Sequence, residues 1–349
     1  MPYLRNTWYM FAWSTEMPSG KLLARTLLDL PLLMFRNGDG VPCAIMDRCP
    51  HRFAPLSLGQ LCDGIVQCPY HGLRFNGKGH CVHNPHGSGV IPKAAVVKSY
   101  PVTERYGALW VWMGNPEQAD PELIPDYSFM DPEHWYVGTG TLLVHVNYEL
   151  ETDNILDLSH IEFLHPLFAT EAVRRGKIEC VQEGDTVWSK RFITQDHLPE
   201  FLAQAFQIPP DELADRWLDV RWNAPACLAL WSGGVVSGRP RELGIVTPFA
   251  HIFSPQSEGS THYFFSISYP RTLGPIGDQL ARDHVGILHQ VFSQEDKPIL
   301  EAQARNMGGA EFWSLKPVLL AVDTATVLAR RLLAKRISAE AGQFTTGDN

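Results

Sequence analysis

A chain of 349 residues with 45% hydrophobic and 19% charged side chains can bury substantial cores, which excludes a wholly disordered polypeptide and suggests two domains. A net charge of −9, from 29 basic and 38 acidic residues spread along the chain, argues against a surface for nucleic acid or for an anionic membrane. No apolar run approaches the ~18 residues of a membrane span, the N-terminus lacks the apolar stretch of a signal peptide, and seven cysteines, an odd number, fit a reduced cytoplasm.

In chain order, the apolar runs at 32–35, 41–46 and 109–113 alternate with turn chemistry such as Asn37-Gly38-Asp39-Gly40 and Asn76-Gly77-Lys78-Gly79. This predicts an all-β first domain over residues 1–115. The proline-studded stretch 116–134 reads as a linker to a second domain over 135–349. There, 141–146 is strand-like and 148–164 has helical length. Residues 187–193, 228–236, 245–253 and 262–268 read as strands of an antiparallel sheet. Helices are expected from Gly277 to about Met307 and from Leu315 to Ile337, with a frayed polar tail from Ala339. Strands and helices do not alternate regularly, so the fold class is α+β rather than doubly wound.

Five cysteines and five histidines crowd into residues 43–86. Within that stretch Cys49-Pro50-His51 precedes Cys68-Pro69-Tyr70-His71. Each half offers one thiolate and one imidazole in a turn-rich loop. A zinc knuckle would accept such donors, but C-x-H followed by C-x-x-H departs from zinc-finger spacing. It matches a Rieske centre, in which two His replace two Cys on one iron of a [2Fe–2S] cluster. Cys49 and Cys68 then hold one iron, and His51 and His71 the other. The Cys81-x-His83-x-x-His86 group reads as a loop with solvated or hydrogen-bonding side chains, and Cys43 and Cys62 as small buried residues.

The run from Cys49 to Gly59, with Cys68-Pro-Tyr-His-Gly-Leu-Arg-Phe75, resembles the Rieske domain of the Rieske non-haem iron oxygenases. Respiratory Rieske proteins carry extra cysteines where this chain has Ala54 and Tyr70, and a serine donor where it has Leu73. Fewer bonds to the cluster sulfurs imply the lower end of the Rieske potential range.

The second informative stretch runs from Asp153 through Asn154, Asp157 and His160 to His165-Pro166. Asp157 and His160, three apart, are expected on one helix face. His165 fits that face poorly, but Pro166 disfavours helical geometry at His165 and should end the helix there, letting the ring swing back. Two His and one carboxylate make the facial triad of non-haem Fe(II) sites that bind O2. The stretch resembles the oxygenase iron motif, whose third ligand is an Asp roughly 130 residues downstream. Asp296 falls at that place, with Glu295 as the rival. The same resemblance implies that Asp157 accepts an imidazole N–H from His160 and from His71 of the partner subunit. That implies a head-to-tail homotrimer, with Asn154 near the iron.

The resemblance covers the whole chain and is nearest to the vanillate O-demethylase and dicamba monooxygenase group. It implies that a reductase or ferredoxin passes electrons from NAD(P)H to the cluster and on to Fe(II). O2 would then be activated to hydroxylate a C–H bond of a small aromatic substrate. A methoxylated acid undergoing O-demethylation with release of formaldehyde is the leading expectation; ring, methyl or side-chain oxidation is the alternative. The chain has no G-x-G-x-x-G unit followed by an acidic residue about 20 positions on, so nicotinamide binding falls to a separate protein. On the strand 245–253, alternation places Phe249, His251 and Phe253 on one face, with His251 as a substrate-binding candidate. Leu228-Ala229-Leu230-Trp231 forms an apolar wall. A reading of another class, a Rieske electron carrier or redox sensor, leaves the second motif and the long second domain unused.

Overall fold

The computed structural model describes residues 3–345. The chain divides into two compact units, one built from the chain up to Ile124 together with Ser254–Glu258, the other from Pro125–Phe253 and from Gly259 onward. Among the described residues no helix is long and apolar enough to cross a membrane.

The first unit is made of strands. In order they are β1 (Trp8–Trp13), β2 (Leu23–Leu27), β3 (Leu30–Arg36), β4 (Pro42–Met46), β5 (Gln60–Cys62) and β6 (Ile65–Gln67). After these come β7 (Arg74–Phe75), β8 (Cys81–His83), β9 (Ser99–Tyr100), β10 (Val102–Arg105) and β11 (Ala108–Trp112). They pair in the orders β1-β11-β10, β2-β3-β4-β9 and β5-β6-β7-β8. Every residue of β1 and β11 is buried, so their continuous apolar sequences reflect coverage on both faces. Cys81–His83 is strand, not the loop its glycine-rich flank suggested. Cys43 and Cys62 are half-buried rather than buried.

The second unit opens with β12 (Trp135–Val144), α1 (Tyr148–Leu156), α2 (Ile161–Leu164) and α3 (Ala172–Arg175). A meander follows: β13 (Lys177–Glu183), β14 (Thr186–Asp196), the short α4 (Glu200–Ala205), β15 (Ala214–Asn223), β16 (Cys227–Val236), β17 (Ile245–Ser257) and β18 (Ser260–Pro270). With β12 on the far edge these form one seven-stranded sheet, ordered β12-β18-β17-β16-β15-β14-β13. Helices α5 (Pro275–Val291), α6 (Lys297–Met307) and α7 (Thr324–Thr345) complete the unit, and α5 packs on β12 and β18. Gly233 lies opposite Trp217 in the β15–β16 register, and a Cβ there would sit 2.2 Å from the indole, so the ring needs the missing side chain.

The α+β class stands, and three local expectations change. The helix over 148–164 breaks at Asp157, whose backbone is extended at φ −113°, ψ 96°. The expected 277–307 helix contains one wide turn of π geometry at Phe292–Asp296. The last helix starts at Thr324 rather than Leu315, because Pro317 intervenes and the Asp323 carboxylate accepts the Leu320 N–H at 2.6 Å, fixing the helix start. That helix continues to Thr345, through most of the tail expected to fray; residues 346–349 lie outside the described residues.

Candidate metal centres and substrate cavity

Two loops of the first unit share one hydrogen-bond pattern. Cys49 N–H donates to Ala54 O at 2.9 Å and Phe53 N–H to Cys49 O at 2.9 Å; Cys68 N–H donates to Leu73 O at 2.8 Å and Gly72 N–H to Cys68 O at 3.1 Å. Each closure needs a left-handed residue, φ 61° at Phe53 and 70° at Gly72. Glycine takes this conformation freely, whereas phenylalanine takes it at a cost of about 1–2 kcal/mol. The cysteines are buried at the loop bases among Leu56, Val66 and Phe75, and their thiols face each other. Burial pushes the Cys49 thiol up to about 11, while the His51 and Arg52 N–H groups aimed at its sulfur favour a thiolate. His51 and His71 stand at the tips with ring centroids 4.5 Å apart. His86 sets its ring nitrogen 2.8 Å from His71 O, the hydrogen-bonding role expected of it.

In the second unit Asn147 caps α1 through Glu149 N–H. The Asp157 carboxylate then accepts Ser159 N–H at 2.9 Å, ending one helix and starting the next turn. That break changes how His160 is held. Its Nδ1 donates to the Asp157 carbonyl at 2.9 Å, not to the carboxylate as the family resemblance implied, because the extended residue turns its main chain toward the ring. The Asp157 carboxylate lies 3.4 Å from Arg191 instead. His165, ahead of Pro166, leaves helical geometry at φ −114°, ψ 83°. Its Nδ1 donates to Glu295 Oε2 at 2.7 Å.

Both rings therefore carry a proton on Nδ1 and turn Nε2 toward Asp296 Oδ1, at 3.6 Å from His160 and 3.3 Å from His165. The three donor atoms lie within 4.8 Å of one another. Asn154 Nδ2 donates to Asp296 Oδ1 at 3.2 Å. The wide turn at Phe292–Asp296 lets consecutive carboxylates, Glu295 and Asp296, both reach His165. Burial lowers the His160 pKa; for His165 burial is outweighed by the Asp296 and Glu295 carboxylates, which raise it. Glu151, which nothing in the sequence singled out, is buried nearby, its carboxyl lifted to about 8 by burial and by Asp296. Arg330 of α7 forks onto Asp153 at 2.7–3.0 Å and onto Glu149 at 2.9 Å, bracing α1 from behind.

His160, His165, Asn154 and Asp296 edge a cavity of about 130 Å³ between the sheet and the helices, walled by Phe168, Phe201, Leu218, Leu230, Phe249 and Phe292. His251 is buried in that wall with Nδ1 2.7 Å from Tyr263 Oη and Nε2 unpartnered. Burial drops its pKa to about 3, so the ring is neutral. Phe253, expected on the same face, is buried outside the cavity lining.

A Rieske [2Fe–2S] domain model matches residues 7–101, and a vanillate O-demethylase oxygenase C-terminal domain model matches residues 144–339. The chain is 38% identical to the oxygenase component of chloroacetanilide N-alkylformylase from Rhizorhabdus wittichii, over 97% of each chain. It is 39% identical to the oxygenase component of dicamba O-demethylase from Stenotrophomonas maltophilia, over 98% of this chain and 100% of that one. A crystal structure of dicamba monooxygenase bound to 3,6-dichlorosalicylic acid superposes with a TM-score of 0.89 at 37% identity, covering 97% and 99%.

Proposed function

The chain belongs to the Rieske oxygenase components with a vanillate O-demethylase-type C-terminal domain, and from that premise we propose how its residues divide the work. Residues 1–115 form the electron-receiving domain, 116–134 the link and 135–349 the catalytic domain. Cys49 and Cys68 hold one iron of the [2Fe–2S] cluster, His51 and His71 the other. His160, His165 and Asp296 hold the non-haem Fe(II). When bound, these groups supply electron storage and O2 activation, with reducing equivalents arriving from NAD(P)H through a separate reductase or ferredoxin.

The chain's own residues orient and enclose. The Asp157 carbonyl and Glu295 fix the tautomers of His160 and His165, leaving both Nε2 atoms free. Asn154 holds Asp296 through an amide N–H. The aromatic walls keep bulk water from the reacting carbon. Hydroxylation of a carbon bound to oxygen or nitrogen gives a hemiacetal or hemiaminal that collapses by losing the alkyl group as an aldehyde. O-Demethylation of an aromatic methyl ether is the reaction this site fits best.

A head-to-tail trimer accompanies this reading. Exposed Ile299 and Val318, at 56% and 87% accessibility, line the hollow on the Asp157 side of the iron site. The Asp157 carboxylate is then the acceptor for His71 of the partner subunit, while its carbonyl serves His160. Seven unpaired cysteines suit a cytoplasmic setting.

The observation that carries the proposal is the convergence of two imidazole nitrogens and a carboxylate within 4.8 Å at the rim of an aromatic cavity. The test is His160→Ala assayed with a surrogate reductase and methoxylated aromatics. Substrate-dependent O2 uptake and formaldehyde release should vanish while the visible spectrum of the cluster persists. Retained turnover would overturn the reading.

A further inference from the structure

Building on the dealkylation reading, we infer that the cavity takes an uncharged, amphipathic aromatic molecule with a hydrogen-bonding group such as an amide, ether or hydroxyl, and rejects the carboxylate form of an aromatic acid. The inference comes from the ionisable side chains that line the cavity, each of which is already balanced.

Arg216, on β15, is the one lysine or arginine in the lining. It is 4% exposed, and its Nε lies 2.7 Å from the carboxylate of Asp196, itself 2% exposed. Arg216 Nη2 donates to Thr170 Oγ1 at 2.9 Å, and that hydroxyl donates to Asp196 Oδ2 at 2.9 Å. Arg216 Nε faces the Asp196 carboxylate without completing a hydrogen bond, but the pair carries no net charge, so Arg216 offers an entering anion no uncompensated cation.

The neighbouring wall is neutral. Leu218, Ser232 and Thr247 follow one another across β15, β16 and β17, and the next position along pairs Leu230 with Phe249. Tyr269 Oη lies 2.5 Å from His284 Nδ1, a phenol paired with an imidazole, and burial lowers the pKa of that histidine. Four residues along β17 from Thr247, roughly 13 Å at strand rise, stands His251 with one free ring nitrogen. Burial keeps that ring uncharged too. At the metal corner the carboxyl groups of Asp296 and Glu295 both contact His165, so acidic side chains already crowd that end of the cavity.

A carboxylate entering this space would be a buried charge without a partner. A neutral amide or ether needs only the hydrogen bonds that His251, Ser232 and Thr247 offer. This departs from the acidic substrates that the sequence resemblance implies.

The test uses the full-length holoprotein and a panel of methoxybenzoic acids, each matched with its primary benzamide, at pH 7.5. Binding is read anaerobically by calorimetry, and turnover by formaldehyde release. Amides should bind at least tenfold more tightly than their acids. Acids binding as well as or better than amides, or no amide binding at all, would overturn the inference. Amide binding without formaldehyde from any compound would instead overturn dealkylation and leave the charge assignment standing. In Asp196→Asn, which strips Arg216 of its counter-charge, the acid-to-amide affinity ratio should rise at least tenfold. An unchanged ratio in the folded variant would overturn the role given to the pair, and the wild-type panel decides the matter if the variant does not fold.

Discussion

In the first unit, Cys49, His51, Cys68 and His71 come from two loops of a few residues, each tied by its own main-chain hydrogen bonds. In the second, His160, His165 and Asp296 come from elements roughly 130 residues apart and meet because a seven-stranded sheet and its helices bring them together. The loop site depends on local backbone geometry, including a left-handed residue at the same place in each loop. The helical site depends on remote supports: an extended residue at Asp157, a wide turn at Phe292–Asp296 and a buried arginine on α7. Damage should spread differently in the two. A change near the loops strikes the cluster alone, whereas the iron site can be loosened from far away.

The largest effect that would break this contrast is expected at Asp296. Asp296→Ala should cut turnover at least about 10³-fold and remove one iron per chain while leaving the cluster spectrum intact. Glu295→Gln should cost only about 10–100-fold, as expected for a residue that orients a ligand. Metal analysis with kinetics checks both, and the reverse order would exchange their roles. Arg330→Ala leaves Asp153 and Glu149 without their buried partner and should destabilise the second unit by about 3–5 kcal/mol in a denaturant titration followed by far-UV dichroism.

A smaller effect concerns pH. His251 is neutral in the fold, with its pKa lowered to about 3, but takes up a proton near 6.5 once unfolded. The unfolded state therefore binds more protons, and the stability tied to this group is present above pH 6.5 and lost as pH falls toward 3. Thermal melts of His251→Asn should fall less steeply than wild type between pH 6.5 and 4.5. The smallest change is expected in the loops. Phe53 is 69% exposed and left-handed, so Phe53→Gly should be neutral or stabilising by up to about 1 kcal/mol, whereas Gly72→Ala should destabilise by a similar amount. Equal and opposite shifts in cluster retention on heating would confirm that the two loops are mechanical equivalents.

Legibility in the sequence followed the same division. The cluster loops could be read directly because donor spacing and turn residues lie side by side, although nothing in the composition announced a left-handed Phe53. The iron site was legible in its donor types and less so in its geometry. Periodicity ran a helix through Asp157 because it does not register that an aspartate can cap the turn that follows it. The wide turn at Phe292–Asp296 uses ordinary helix-forming residues, so Glu295 and Asp296 read as rivals when both touch His165. Strand β15 passed unnoticed because Arg216, Asp219 and Arg221 look like surface residues, and only the fold places Asp196 beside Arg216. Strand β13, polar and at the sheet edge, lacked an apolar signature altogether.

The wide turn at Phe292–Asp296 also bears on how this protein could be weakened by mutation. Loss of one codon from that stretch would leave the helix-forming character of the segment intact. The five residues of this wide turn sweep the same angle as about four of α-helix, so the helix beyond would keep its orientation to α5. Lys297 would keep its reach to Leu143 O, but the two consecutive carboxylates, which need the wide turn, could no longer both contact His165. An in-frame three-base deletion there is thus expected to yield a folded, coloured protein with weakened turnover, a class of allele that surveys of amino-acid substitutions alone would never encounter.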